Sequence, residues 1–175
     1  MSDLDVITAA DTARRDALES AIAAIQTLQQ TGGDVPDAND PTVQAFQRQL
    51  FAALDSNFWS VVQQALTAIQ SNKAYSGLVP LIPAHDEDDG YAHVDETGDP
   101  NLGIKFCKDF FDDADYTCQR EVITHEYFHF VCGLVHYYGT TDTQEALACP
   151  HHLAELVFDI ALGEVNACDD GAICF

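Results

Sequence analysis

Two histidines and a glutamate, His125, Glu126 and His129, stand in the spacing H-E-x-x-H, inside the run Thr124-His-Glu-Tyr-Phe-His-Phe130. Side chains four apart on an α-helix lie one above the other. The two imidazoles would therefore leave one face together and fill two corners of a Zn2+ tetrahedron. Glu126, next on the helix, would reach a solvent molecule on the ion rather than the ion itself, which is the place of a general base. The same spacing arises by chance on amphipathic helices. Here Val122, Ile123, Tyr127, Phe128, Phe130, Val131, Leu134 and Val135 surround it. Three titratable side chains in so apolar a segment would be costly without a partner, and a cation is the simplest partner.

A catalytic zinc needs a third protein ligand and one open position. Four downstream residues offer themselves. His136 comes seven residues after His129 with Gly133 between them; the pattern H-E-x-x-H-x-x-G-x-x-H has both one position earlier. Glu145 or Glu155 would bring a carboxylate from a following helix. Asp142 closes the run Gly139-Thr-Thr-Asp142, just past the expected end of the helix.

These residues need a frame. Asp11 reads as the N-cap of a first helix reaching about Gln30, with Leu18, Ile22, Ile25 and Leu28 at helical spacing and Gly32-Gly33 as its stop. Asp40-Pro41 reads as cap and first residue of a second helix. A third carries Phe58, Val61, Val62, Leu66 and Ile69, with Trp59 as a core anchor. From Tyr75 to Cys107 the Pro and Gly residues forbid long helices. Short strands are expected at Gly77 to Ile82, Tyr91 to Val94 and Leu102 to Phe106, and the acidic run Asp86 to Asp89 reads as a solvated turn. The H-E-x-x-H helix is expected to begin near Thr117 to Arg120 and to end near Tyr138-Gly139. A last helix opens at Pro150 and runs from about His151 to Glu164. The class is α+β: a mainly helical single domain beside a small twisted sheet. The helical part spans about 8–72, the sheet and catalytic part about 75–165, and a Cys-containing tail 166–175.

A chain of 175 residues, 47% hydrophobic, can build one real core. Its net charge of -22, from 29 acidic and seven basic residues, argues against nucleic acid and anionic membrane surfaces as partners. No apolar run is long enough to span a bilayer. The N-terminus shows neither a basic nor an apolar leader region, so no signal peptide is expected. Six cysteines include no C-x-x-C pair. They permit disulfides but no Cys-rich zinc site. Cys168 and Cys174 could join each other or the body, and Cys132 reads as a small core residue.

H-E-x-x-H followed by Gly139-Thr-Thr-Asp142 resembles the aspzincin zinc metallopeptidases, the deuterolysin and peptidyl-Lys metallopeptidase family. Tyr91-Ala-His-Val, Gly103-Ile-Lys-Phe-Cys-Lys-Asp-Phe-Phe111 and Val122-Ile-Thr-His-Glu126 are similar to that family's short strands, aromatic pair and catalytic helix. The likeness covers about Tyr91 to Gly163. It implies a zincin-like fold, secretion, one catalytic Zn2+ on His125, His129 and Asp142, and Glu126 as the base of a zinc endopeptidase. It also implies that Gly103, Ile104 and Lys105 hold an extended peptide by strand addition. An acidic pocket for Lys-containing substrates would fall at Asp159. Where the family has an oxyanion-stabilising Tyr, this chain has Glu145. Tyr138 is carried as the replacement donor, beside Tyr137 and His136. The alternatives are an inactive zincin-like module that acts through a protein partner, and a toxin domain delivered to other cells.

Overall fold

Ser2, not Asp11, opens the first helix. The computed structural model of the protein describes residues 2–84, 90–137 and 139–164. In it α1 runs Asp3–Thr31, with Ser2 and Asp5 in a reciprocal capping box. Asp11 lies inside that helix, where its carboxylate pairs with Arg14 (Nε to Oδ1 2.8 Å). Gly32 is the helix C-cap, and the Trp59 ring leaves room only for glycine there: a Cβ would sit 2.4 Å from it. Asp40 does cap α2 (Pro41–Leu50), accepting from the Thr42 and Val43 amides at 2.8 and 3.3 Å. The third helix, α3, spans Phe58–Ala74.

The strands β1 (Leu81–Pro83), β2 (Ala92–Val94) and β3 (Ile104–Phe106) are shorter than expected. Their order is β1-β3-β2, with β1 parallel and β2 antiparallel to β3. The centre of the sheet is therefore β3. Both its hydrogen-bonding edges are taken, so it cannot receive a peptide by strand addition, and that expectation is corrected. Gly103 serves a local need instead: at φ 84°, a Cβ on it would lie 2.6 Å from the Pro80 carbonyl. A short α4 (Lys108–Asp112), not foreseen, leads to α5.

Helix α5 runs Tyr116–Cys132, capped by Asp115, whose carboxylate accepts from the Cys118 amide at 2.8 Å. It stops well short of Tyr138, because Gly133 at φ 83° turns the chain off the helix axis. A second unforeseen helix, α6 (Thr143–Leu147), precedes α7 (Pro150–Leu162), which ends at Gly163. Every residue from Glu121 to His129 is buried, so α5 is the central helix. On one side Phe128 joins Phe46, Phe58, Leu66, Leu153 and Phe158 in the larger apolar cluster. On the other, Ile123 and Tyr127 join Ile7, Ile104, Phe106 and Phe110. Full burial of each such side chain is worth about 2 kcal/mol.

Arg14, wholly buried, fastens this helix from behind. Besides Asp11 it donates to Asn72 Oδ1 and Ser76 Oγ, each at 2.8 Å, and its guanidinium lies 3.7 Å from the centre of the Tyr127 ring. Asn72 passes the link on, donating to the Thr124 carbonyl at 3.1 Å. Three helices, α1, α3 and α5, thus share one hydrogen-bonded knot. Cys107, Cys132 and Cys149 are not in disulfides, Cys118 is disulfide-bonded, and no disulfide joins two described cysteines. Cys168, Cys174 and the acidic run 86–89 lie outside the described residues. No described helix is long and apolar enough to cross a membrane.

Candidate metal centre

The face of α5 away from Arg14's knot carries the two histidines as their spacing predicts. His125 Nε2 and His129 Nε2 stand 3.1 Å apart, with the rings at 80° to each other. The third side chain at this point is His136. Its Nε2 lies 3.1 Å from that of His125, and all three histidines offer nitrogens within 4.8 Å of one another. Gly133 explains how it gets there. By breaking α5 after Cys132, it sends the next residues back beside the helix they have just left. The extra residue relative to the H-E-x-x-H-x-x-G-x-x-H pattern moves the glycine and the histidine together, so the return is preserved.

Asp142, expected as the third ligand, caps a helix through one of its two carboxylate oxygens. Its Oδ1 accepts from the Gln144 and Glu145 amides at 2.9 and 3.0 Å, capping α6, and it belongs to neither of the ligand clusters among the described residues. Exposed helix amides and an exposed carboxylate make that cap self-sufficient. Glu145 is held by the Thr140 hydroxyl at 2.5 Å. Tyr138 lies outside the described residues.

Tautomer and charge at the histidines suit a cation. His129 Nδ1 sits 3.0 Å from the Gly133 carbonyl, so Nδ1 carries the proton and Nε2 presents its lone pair to the centre. Burial holds the His125 pKa well below the ordinary imidazole value, with His129, His136 and His151 adding to the effect. Burial likewise brings His129 down to about 4, against the upward pull of the Gly133 carbonyl, and lowers His136. All three rings are therefore neutral at neutral pH, the state in which imidazole binds metal. Lone pairs 3.1 Å apart repel unless something positive lies between them. One proton can serve only one of these contacts. Two ligands of a tetrahedral zinc, at about 2.0–2.1 Å from it, stand roughly 3.3–3.4 Å apart, so the observed spacing fits a shared ion.

Glu126 is buried beside this trio. Burial raises its pKa well above the usual carboxylate value, and a hydrogen bond from the Val94 amide opposes that rise; its Oε2 has no hydrogen-bond partner. Val94 belongs to β2, an edge strand of the sheet among the described residues. A cleft of about 620 Å3 beside it is lined by His93, Val94, Asp95, Leu102, Gly103 and Lys105. Gly103 and Lys105 are thus on the cleft wall, while Ile104 points into the core. Asp159 is not a pocket carboxylate. It is buried, Arg48 grips it through Nε and Nη2 (3.0 and 2.7 Å), and Gln49 adds a third bond at 3.1 Å. Its charge is already spent on that ion pair.

A second cluster lies close by. Glu121, His151 and Glu155 also offer ligand atoms within 4.8 Å of one another. Glu155 is a sequence candidate for the first centre; Glu121 and His151 are not. The signal was present: Glu121 is one turn before His125, and His151 and Glu155 are one turn apart.

No protein-family model matches the sequence, and no curated protein matches it. In fold the chain is similar to a zinc peptidase from Grifola frondosa, with a TM-score of 0.63 over 91% of this chain and 97% of that one, at 16% sequence identity.

Proposed function

We propose that the protein is a zinc-dependent endopeptidase whose ion is held by His125, His129 and His136, with Glu126 as general base. The observation that carries this is the meeting of three neutral imidazole nitrogens beside a buried glutamate and an edge strand. The fold neighbour, itself a zinc peptidase, supports the choice of an amide bond as target. Zinc, when bound, supplies Lewis-acid polarisation of the scissile carbonyl and acidifies a water.

The chain's own residues do the rest. A peptide lies extended along β2, the edge that β3 leaves open, which places its backbone beside Val94 and Glu126. Burial makes the Glu126 carboxylate a stronger base than a solvated one, suited to taking a proton from the attacking water. As the carbon–nitrogen bond breaks, Glu126 returns that proton to the leaving amine. Water is split between a new carboxylate and a new amine, and Glu126 ends as it began. His129 is kept in one tautomer by Gly133, and α5 is kept in place by the Arg14 knot. With Asp159 paired to Arg48, nothing at that position selects lysine.

The test is hydrolysis of unfolded casein or a quenched fluorescent peptide, with and without a chelator. Activity is expected to vanish on chelation and return with Zn2+. Glu126→Gln should keep the ion and lose roughly 100- to 10,000-fold in rate. Stoichiometric zinc without any hydrolysis would favour the binding-module alternative, to which Glu145 at the family's tyrosine position lends its weight.

A further inference from the structure

Beyond the His125 centre, α5 and α7 bury a second set of potential ligands between them. Glu121 is 1% exposed and Glu155 6%, and His151 Nε2 lies 3.6 Å from Glu155 Oε1. The three ligand atoms lie within 4.8 Å of one another. They come from register alone. Glu121, His125 and His129 form one stripe up α5 at four-residue spacing, and His151 and Glu155 form a matching stripe on α7, packed against it.

Two carboxylates this close, away from water, repel each other and resist joint ionisation. A divalent cation bound between them would balance both. The first centre adds an independent observation. The ring of His151 stands 6.5 Å from that of His125, whose Nδ1 is buried and has no hydrogen-bond partner.

We infer that Glu121, His151 and Glu155 form a second divalent-cation site, sharing the wall of His125 with the first. One nitrogen and two carboxylate oxygens suit a first-row ion such as Zn2+, Mn2+ or Co2+ better than Ca2+ or Mg2+. The site does not depend on the peptidase reading. An ion there would lock α5 to α7 one turn from His125.

The test is metal counting on the full chain. Metal-free protein is dialysed against Zn2+, washed, and its metal measured per chain by mass spectrometry. Two ions are expected in the native protein. The near-isosteric pair Glu121→Gln/Glu155→Gln should hold one, and the pair His129→Ala/His136→Ala should also hold one, with circular dichroism confirming that each is folded. Two ions retained by the Gln pair would overturn the inference. A single ion in the native protein, lost with the His pair and kept by the Gln pair, would overturn it while leaving the peptidase proposal intact. A single ion with the opposite pattern would support the second site and remove the ligand set from the peptidase proposal. No ion at all would sink both.

Discussion

The molecule buries two polar clusters on opposite faces of α5, and they are finished differently. Around Arg14 the guanidinium donates to Asp11, Asn72 and Ser76 at 2.8 Å each, and Tyr127 lies under it. Around His125 the Nε2 atoms of three rings face one another, and His125 Nδ1 and Glu126 Oε2 have no hydrogen-bond partner. A guanidinium with an acceptor at each of its nitrogens holds helices together, even though the Tyr127 hydroxyl beside it has no hydrogen-bond partner. A cluster that leaves lone pairs facing each other is built for something that arrives later. The second depends on the first, because Asn72 ties the Arg14 knot to the backbone at Thr124, one residue before His125.

That contrast can be attacked from either side. Arg14→Met should be the costliest change, about 3–5 kcal/mol of stability, because it takes the guanidinium from Asn72 and Ser76 and leaves the buried Asp11 only the half-exposed Arg15, 3.3 Å away. Urea unfolding would show it, and Asp11→Leu added to Arg14→Met should recover most of the loss. If the single and double variants unfold alike, Arg14 is not the fastener described here. Next come the proposed ligands. His136→Ala should weaken zinc by more than about 100-fold, whereas Asp142→Ala should leave zinc affinity nearly unchanged and cost about 1 kcal/mol as a lost helix cap. Competition with a chromophoric chelator separates the two, and the reverse ranking would restore Asp142 as third ligand.

A smaller effect has the opposite sign. In metal-free protein Glu126→Met should stabilise the fold by about 1–3 kcal/mol, since it removes a buried carboxylate with an unpaired oxygen. A lower urea midpoint would contradict the unfinished character of this face. The least effect concerns Tyr127, whose pKa burial raises from 10.0 to about 12. Its folded form holds the phenolic proton more tightly than the unfolded chain does. The stability this confers is complete below pH 10 and lost as the pH rises toward 12. Phenolate absorbance compared between native protein and Tyr127→Phe should show one tyrosine titrating late.

What could be read from the sequence follows the range over which each feature is decided. His125, Glu126 and His129 were legible because four-residue spacing alone sets their shared face. Asp40-Pro41 and Pro150 were legible as helix openings because caps are local. Asp11 misled for the same reason: it has a cap's chemistry, but its partner Arg14 is secured by Asn72 and Ser76, some sixty residues on. The place of β3 at the centre of the sheet depends on a parallel pairing with β1, which alternation within β3 cannot show. His136 was weighed and set aside on spacing, since its approach depends on how sharply Gly133 turns the chain. Asp159 looked available until Arg48, 111 residues earlier, closed on it.

The outer edge of β2, which pairs with no described strand and where the Val94 amide already donates to Glu126, has a consequence for the protein in bulk. Backbone groups that can receive an extended visitor make no distinction between a meal and a sibling, and an identical strand from another copy would fit the same edge. With 29 acidic residues against seven basic ones, like charge keeps copies apart at long range. Three paired residues per strand give such a contact little length to exploit. Colloidal solubility is thus expected to fall as ionic strength rises, because added salt screens the repulsion and leaves the edge to govern association.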